Sequence, residues 1–315
     1  MVKKRFAIIG AGFIGKSVIR NLLSKDIDVS ILDRHVCPDE FVEHVRWISG
    51  SFYDQSALSQ ALQGVSVAYH FVSTTVPGDQ HTDVAMELNE NVVGALHFVD
   101  ACLAAGVKRI VFASSASVYG LQDSLPINEL APTNPISAHG IHKLMVEKFL
   151  LLAHHLHGIE VRILRIANPY GPGQSLVGRQ GFIAMVIGHH LRNIPLMLRD
   201  DGRPIRDFIY IDDLAEASVQ AGLRDGLPFV INIATGHGYS LRDVISVIEK
   251  LTDKHVVIVP TESRIVDIPI SVLDVKLAHS AMSFSASTCL YEGLFKTLLY
   301  HGFQVGPDPL KKIDS

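Results

Sequence analysis

No stretch of about 18 uncharged apolar residues occurs in the 315-residue chain, so no membrane-spanning helix is expected. Cysteine is scarce. Cys37, Cys102 and Cys289 are odd in number and far apart, which argues against a disulfide frame and suits a reducing cytoplasm. An excess of either charge is also lacking: 28 Lys and Arg stand against 32 Asp and Glu, a net charge of −4. The basic footprint of a nucleic-acid-binding protein is therefore missing. Sixteen histidines are present, yet none stands in a His-Glu-x-x-His motif or a Cys/His cluster with ligand spacing. The neighbours His154/His155 and His189/His190 point apart on a helix, so surface and capping histidines are expected, and no metal. The basic start Met1–Arg5 looks like the head of a signal peptide. The apolar run behind it is broken at once by Gly10, Gly12 and Gly15, and reads as a strand entering a turn. These absences leave a cytoplasmic protein with a small-molecule partner, without nucleic acid or membrane.

What is present is a core-rich pattern, 48% hydrophobic. Phe6–Ile9, Val29–Leu32, Val45–Ile48, Val65–Phe71, Arg109–Ala113 and Glu160–Leu164 read as strands. Helical patterns lie between them at 13–24, 54–62 and 84–105. Continuous apolar strands alternating with helices imply a parallel sheet covered on both faces. After Asn168 the texture changes. Asn168–Gln174 reads as a turn-rich loop. Helices follow near 181–192, 212–223 and 240–252, with strands near 229–233 and 256–259. The expected fold is α/β, a Rossmann-type doubly wound parallel sheet with a smaller C-terminal substrate-binding α/β domain. The expected division is 1–167, with about 208–235 returning to it, against 168–207 and 236–315. No linker or repeat separates them, so they should pack around one cleft.

Gly10-Ala-Gly12-Phe13-Ile14-Gly15 follows the first strand and opens a helix. The first glycine permits the tight turn, the second lets backbone approach a pyrophosphate, and the third lets helix pack on strand. Asp33 ends the second strand, 18 residues after Gly15, where a carboxylate binds adenosine ribose hydroxyls. A carboxylate there repels a 2′-phosphate and favours NAD over NADP. Arg34 beside it pulls the other way.

The segment Phe112-Ala-Ser-Ser-Ala-Ser-Val-Tyr-Gly120, followed by Pro135-Ile-Ser-Ala-His-Gly-Ile-His-Lys-Leu-Met-Val-Glu147, carries a more specific signal. With His70-Phe71, Asn91-Val-Val-Gly94, Asn168-Pro and Arg206-Asp-Phe-Ile-Tyr-Ile-Asp-Asp213, it resembles the extended short-chain dehydrogenase/reductases of the NAD-dependent epimerase/dehydratase family. The resemblance runs from about residue 5 to about residue 300. Its nearest look is that of UDP-galactose (UDP-glucose) 4-epimerases and related epimerases of surface-polysaccharide pathways. It implies a catalytic set of Ser115, residue 139 and Lys143. It implies cofactor contacts from Gly10, Gly12, Phe13, Ile14, Gly15, Asp33, Ser51, Phe52, Phe71, Val72, Ser73, Asn91, Ser114, Lys143 and Asn168. It implies substrate contacts from Thr75, Ser115, Ser117, Asn168, Arg206, Arg264 and Ser271. The two arginines would fork onto a diphosphate, and Ile194–Leu198 would cup the base. Two departures touch the cofactor side: the glycine turn is one residue tighter than the family's usual Gly-x-x-Gly-x-x-Gly, and Ser51 stands where an acidic residue commonly faces adenine.

The main departure is His139, which occupies the tyrosine position of the family's Tyr-x-x-x-Lys. In the family the tyrosine oxygen takes the proton of the sugar 4-hydroxyl while hydride leaves C4. The lysine one helical turn on lowers the phenol pKa and holds the nicotinamide ribose. Histidine can act as a general base near neutral pH, and the Lys143 cation favours its neutral form. Its ring is shorter than a phenol. Three readings of His139 stay open: a substitute base, a slow or dead redox centre on an intact binding fold, and different chemistry. His142, three residues on, is expected at the surface. Related sugar dehydratases carry an Asp-Glu pair after the catalytic Ser or Thr, and related decarboxylases keep a glutamate there. Ala116 and Ser117 cannot shuttle that proton, which disfavours elimination.

The reading that results is an NAD-dependent UDP-sugar 4-epimerase, with His139 expected to weaken its activity. Two other classes stay open: a catalytically impaired NAD- or nucleotide-sugar-binding regulator, and a sugar-nucleotide reductase or dehydrogenase. Ser271 replaces a bulky tyrosine of some glucose/galactose-restricted epimerases and leaves room for a 2-acetamido group. A stripe of Leu88, Val92, Leu96, Val99 and Leu103, with the helix at 137–157, is expected to build a homodimer through a four-helix bundle.

Overall fold

The computed structural model describes residues 4–74, 83–177, 181–262 and 268–306. In chain order the first half runs β1 (Arg5–Ile9), α1 (Phe13–Ser24), β2 (Asp28–Asp33), β3 (Arg46–Ser49), α2 (Gln55–Leu62), β4 (Val67–His70), α3 (Val84–Leu88), α4 (Gly94–Ala104), β5 (Arg109–Ser115), α5 (Ala138–His157) and β6 (Glu160–Ile166). The second half runs β7 (Asn168–Tyr170), α6 (Phe182–Arg192), β8 (Leu196–Arg199), β9 (Ile205–Tyr210), α7 (Ile211–Leu223), β10 (Val230–Ile233), β11 (Gly238–Ser240), α8 (Leu241–Thr252), β12 (Ile258–Thr261), β13 (Ile270–Ser271), α9 (Lys276–Met282) and α10 (Leu290–Tyr300).

Seven parallel strands form the main sheet in the order β10-β6-β5-β4-β1-β2-β3. The order reverses between β1 and β4, so the carboxyl ends of these two strands face a crevice. Both sheet faces are covered. In β1, Phe6 and Ile8 join one buried cluster while Ala7 and Ile9 join the other, as the two-residue period of a strand requires. That is why these strands are apolar throughout rather than alternating. After β9 the chain returns to this sheet: α7 packs on α1, and β10 adds to its edge beside β6. A second small sheet is built around β9, with β11 antiparallel on one side and β13 and β7 parallel to it.

Three differences from the sequence reading have clear causes. The helix expected over 84–105 is continuous from Val84 to Ala104 but widens into a π-turn at Asn89–Val93 between α3 and α4. The stretch expected as loop at 168–174 begins with strand β7; Pro169 is tolerated there because β7 is a three-residue strand, paired with β9. The stripe assigned to an interface is divided, with Leu88 exposed and Leu96 partly buried while its other members turn to the core. Val92 and Val99 are buried, and Leu103 packs on the same cluster. The outward apolar stripe lies on α5, where Ile141, Phe149, Leu152 and Leu156 are exposed at helical spacing.

Candidate functional site

The glycine turn sits at the crevice. Gly10 adopts φ +95°, and a Cβ there would lie 3.0 Å from the Val72 backbone nitrogen. A Cβ on Gly15 would fall 2.2 Å from the Gly10 carbonyl oxygen, so strand and helix touch at this point. Gly12 is different, because the space beside it is open. It caps α1 with no side-chain hydrogen bond, which leaves the first-turn amides of Phe13 and Ile14 to a ligand. Asp33 closes the other side. Its carboxylate accepts from the Ala11 amide at 2.7 Å and from the His35 amide and Nδ1, both at 2.9 Å. A close turn, an open amide face and a fixed carboxylate fit the pyrophosphate and adenosine ribose of a dinucleotide.

Other residues expected at the cofactor divide. Phe71, Val72 and Ser73 follow β4 and run past Gly10. Ser51 is exposed and accepts from the Tyr53 amide at 3.2 Å. Phe52 is buried among His70 and Phe98, so it serves as a wall of the core. Asn91 uses its amide group on Thr74 and the Glu87 carbonyl.

The end of β5 and the start of α5 converge next to this turn. Ser137 caps α5 by accepting from the Gly140 amide at 3.2 Å. Gly140 lets the helix close on the turn after Ser115, since a Cβ there would lie 2.5 Å from the Ser117 carbonyl oxygen. His139, 8% exposed, and Lys143 follow on one face of this helix, one turn apart. Ser115 Oγ accepts from the Ser117 amide at 3.2 Å and from Ser117 Oγ at 2.9 Å. A hydroxyl that accepts twice still carries a proton it can donate. Lys143 Nζ donates to the Ala113 carbonyl at 2.7 Å and lies 4.8 Å from the Phe112 ring centre. Burial lowers its pKa to about 8, against an opposing pull from Glu147. Ser114 donates to Glu147, which Arg165 grips with two nitrogens at 3.1 and 2.7 Å. This buried network ties α5 to β5 and β6 and fixes where Lys143 stands.

Three tyrosines direct their hydroxyls away from this set. Tyr119 donates to Asn232 at 2.6 Å, and burial pushes its pKa up to about 12. Tyr53 donates to the Glu90 carbonyl and Tyr170 to that of Leu290. His139 therefore has no substitute among them.

The structure also corrects the placement of His142. It is 3% exposed and lines a small cleft with His70, Val72, Ser73, Asn91 and Lys143. The signal was available: His142, Val146, Leu150 and Ala153 share the buried face of α5 at helical spacing. His70 was not singled out for this cleft either. Burial, reinforced by Lys143, pushes its pKa down to about 3, so it is neutral.

On the opposite wall, β9 carries Arg206 and Asp207. Asp207 is buried and accepts from the Thr235 amide, the Thr235 hydroxyl and the Gly236 amide at 3.0, 2.7 and 2.9 Å. Burial raises its pKa while these donors hold it down. Asn168 donates to the Asp207 carbonyl at 2.8 Å. Ser271 on β13 pairs with Arg206, which places the two side by side on one face of the sheet. Arg206 Nη1 donates to the Ile205 carbonyl at 2.8 Å. Thr75 and Arg264 lie outside the described residues. Among the described residues no group of three or more His, Cys, Asp or Glu is placed to hold a metal ion, and no helix is long and apolar enough to cross a membrane.

A doubly wound sheet, a dinucleotide turn at its crevice and a Ser–His–Lys set beside that turn define a dinucleotide-dependent enzyme of the extended short-chain dehydrogenase/reductase class. Residues 7–234 match the NAD dependent epimerase/dehydratase family. A UDP-glucose 4-epimerase of Azospirillum brasilense is 32% identical over 78% of this chain and 77% of its own length. A dTDP-4-dehydro-6-deoxyglucose reductase of Escherichia coli is 29% identical over 92% and 94%. The solved UDP-glucose 4-epimerase of Thermotoga maritima, with UDP-glucose, superposes with a TM-score of 0.87 at 27% identity, covering 94% of this chain and 98% of that one. The chain belongs to the NAD dependent epimerase/dehydratase family, and NAD is its cofactor.

Proposed function

We propose that the protein is a nucleotide-sugar 4-epimerase, an isomerase that inverts C4 of a UDP-hexose or UDP-N-acetylhexosamine by transient oxidation. The observation that supports this reading is that Ser115 ends β5 while the start of α5, with His139 and Lys143, packs on that strand end, Lys143 Nζ reaching the Ala113 carbonyl beside the turn suited to NAD. Gly10 to Gly15 and Asp33 would hold the adenosine and pyrophosphate of bound NAD, and Lys143 would hold its nicotinamide ribose. NAD, when bound, supplies the two-electron acceptor and donor at C4. Ser115 donates its free proton to the sugar O4 and orients it. His139 takes the O4 proton and later returns it. Arg206, with Arg264, pairs with the diphosphate, and Asn168 bonds the same diphosphate or the sugar. Ala116 and Ser117 offer no carboxylic acid for dehydration, so the 4-keto state is resolved by reduction. A histidine at position 139 makes this cycle slower than a tyrosine would. The outward apolar stripe of α5 fits a second copy of the chain and supports a homodimer.

A second reading is a sugar-nucleotide reductase, which the likeness to the dTDP-4-dehydro-6-deoxyglucose reductase favours. One experiment separates the two. Purified protein is incubated with UDP-galactose or UDP-N-acetylgalactosamine and NAD, and products are followed by proton NMR. Appearance of the gluco isomer without net NADH change supports epimerisation. Turnover of a 4-keto sugar nucleotide only with stoichiometric loss of NADH supports the reductase.

A further inference from the structure

Asn91 stands at the mouth of the dinucleotide crevice, yet its side chain is already committed. Its Oδ1 accepts from the Thr74 amide at 2.9 Å, and its Nδ2 donates to Thr74 Oγ1 and to the Glu87 carbonyl, both at 2.8 Å. A carboxamide has two donors, and both are used. Asn91 is central in the π-turn Asn89–Val93, whose extra residue per turn re-aims the side chains around it. The segment it grips is 71–74. That segment leaves β4 with the Phe71 amide bonded to the Ile9 carbonyl at 2.9 Å, and Val72 presses against Gly10. Val72, Ser73 and Asn91 then face Lys143 across the cleft.

We infer that Thr74 and Asn91 form a latch that holds segment 71–74 against the glycine turn, and that Thr74 is a positioning residue for bound NAD. Asn91 is then not a ligand through its NH₂ group but the partner that fixes the chain past which the cofactor lies. Thr74 is exposed, so it adds little to the core, and its hydroxyl oxygen accepts from Asn91 Nδ2. The inference goes beyond the sugar-nucleotide reading and does not depend on it, because the readout is NADH alone.

The test is NADH binding and release by the full chain, followed by cofactor fluorescence. Thr74→Val keeps the shape and removes the hydroxyl, leaving one Asn91 donor without its acceptor. NADH should bind about three- to ten-fold more weakly, the range set by one hydrogen bond, mainly through faster release. Thr74→Ser should restore binding to within about two-fold, with Thr74→Ala as a second variant that lacks the hydroxyl. Asn91→Ala should weaken NADH at least as much, and adding Thr74→Val to it should cost nothing more, since both remove one latch. Wild-type NADH binding in both Thr74→Val and Thr74→Ala overturns the inference. So does a serine variant no better than the alanine one, additive losses in the double variant, or a loss that merely follows a lowered melting temperature.

Discussion

Replacing His139 by tyrosine is the most informative perturbation of the candidate site. The position is nearly closed: His139 is 8% exposed, at the second residue of a helix pressed on the turn after Ser115. A larger ring there strains the packing by about 1–3 kcal/mol if it must stay inside. A phenol is longer, however, and from this helix end it extends into the cleft. There it is expected to approach Ser115 and Lys143, one turn on. General acid–base catalysis by a well-placed group contributes about 10²- to 10⁴-fold. We expect His139→Tyr to raise 4-epimerase turnover by about 10²-fold or more, with NADH affinity unchanged and a modest loss of stability. The assay is NMR interconversion of UDP-galactose and UDP-glucose across pH 6 to 10. Lys143 provides a second check, since its pKa is lowered to about 8. Its ammonium is present below that value and lost above it. Turnover of the tyrosine variant should therefore fall as pH rises through about 8, and Lys143→Met should remove most of the gain. An unchanged rate in His139→Tyr, with NADH and UDP still bound, refutes the idea that residue 139 limits the chemistry.

Other parts of the account are tested separately. Asp33 should make NADH bind more tightly than NADPH, and Asp33→Asn should narrow that difference in a fluorescence titration; equal affinities in the wild type point to Arg34 instead. UDP-N-acetylhexosamines should bind at least as well as UDP-hexoses, and Ser271→Tyr should weaken only the acetamido ligands by about ten-fold in calorimetry. If both ligand types respond alike, Ser271 does not wall the sugar pocket. Light scattering at micromolar concentration should show a dimer that Leu152→Glu converts to monomer, and a monomeric wild type removes the α5 interface.

The main sheet could be read from the chain because most of its strands are apolar on both faces, and α1, α2 and α5 each start at a glycine or a side-chain cap. The helix read at 13–24 is α1, with Gly12 before it. Short elements escaped, since three-residue strands such as β7 and β11 exist only through their partners on β9. Helices α9 and α10 were not anticipated either. Periodicity also names a buried face without saying what buries it, which is why Val92 and Val99 were assigned to an interface and belong to the core. At the site, Ser115, His139 and Lys143 came from the family resemblance, and the fold sets Lys143 on the Ala113 carbonyl and Gly140 against the turn after Ser115. What spacing could not supply is where hydrogen bonds go. Asn91 turns to Thr74, Ser114 to Glu147, and His142 inward, because each answers to a neighbour distant in sequence.

The central claim is that C4 is oxidised and reduced again within one bound nucleotide sugar. UDP-galactose carrying deuterium at C4 tests it directly, with purified wild-type protein, NAD, and mass and NMR analysis of the product. The account predicts UDP-glucose that keeps the deuterium at C4, formed slowly by the wild type and faster by His139→Tyr. Product that has exchanged its C4 deuterium for solvent hydrogen, or no epimer from either protein while both ligands bind, contradicts it.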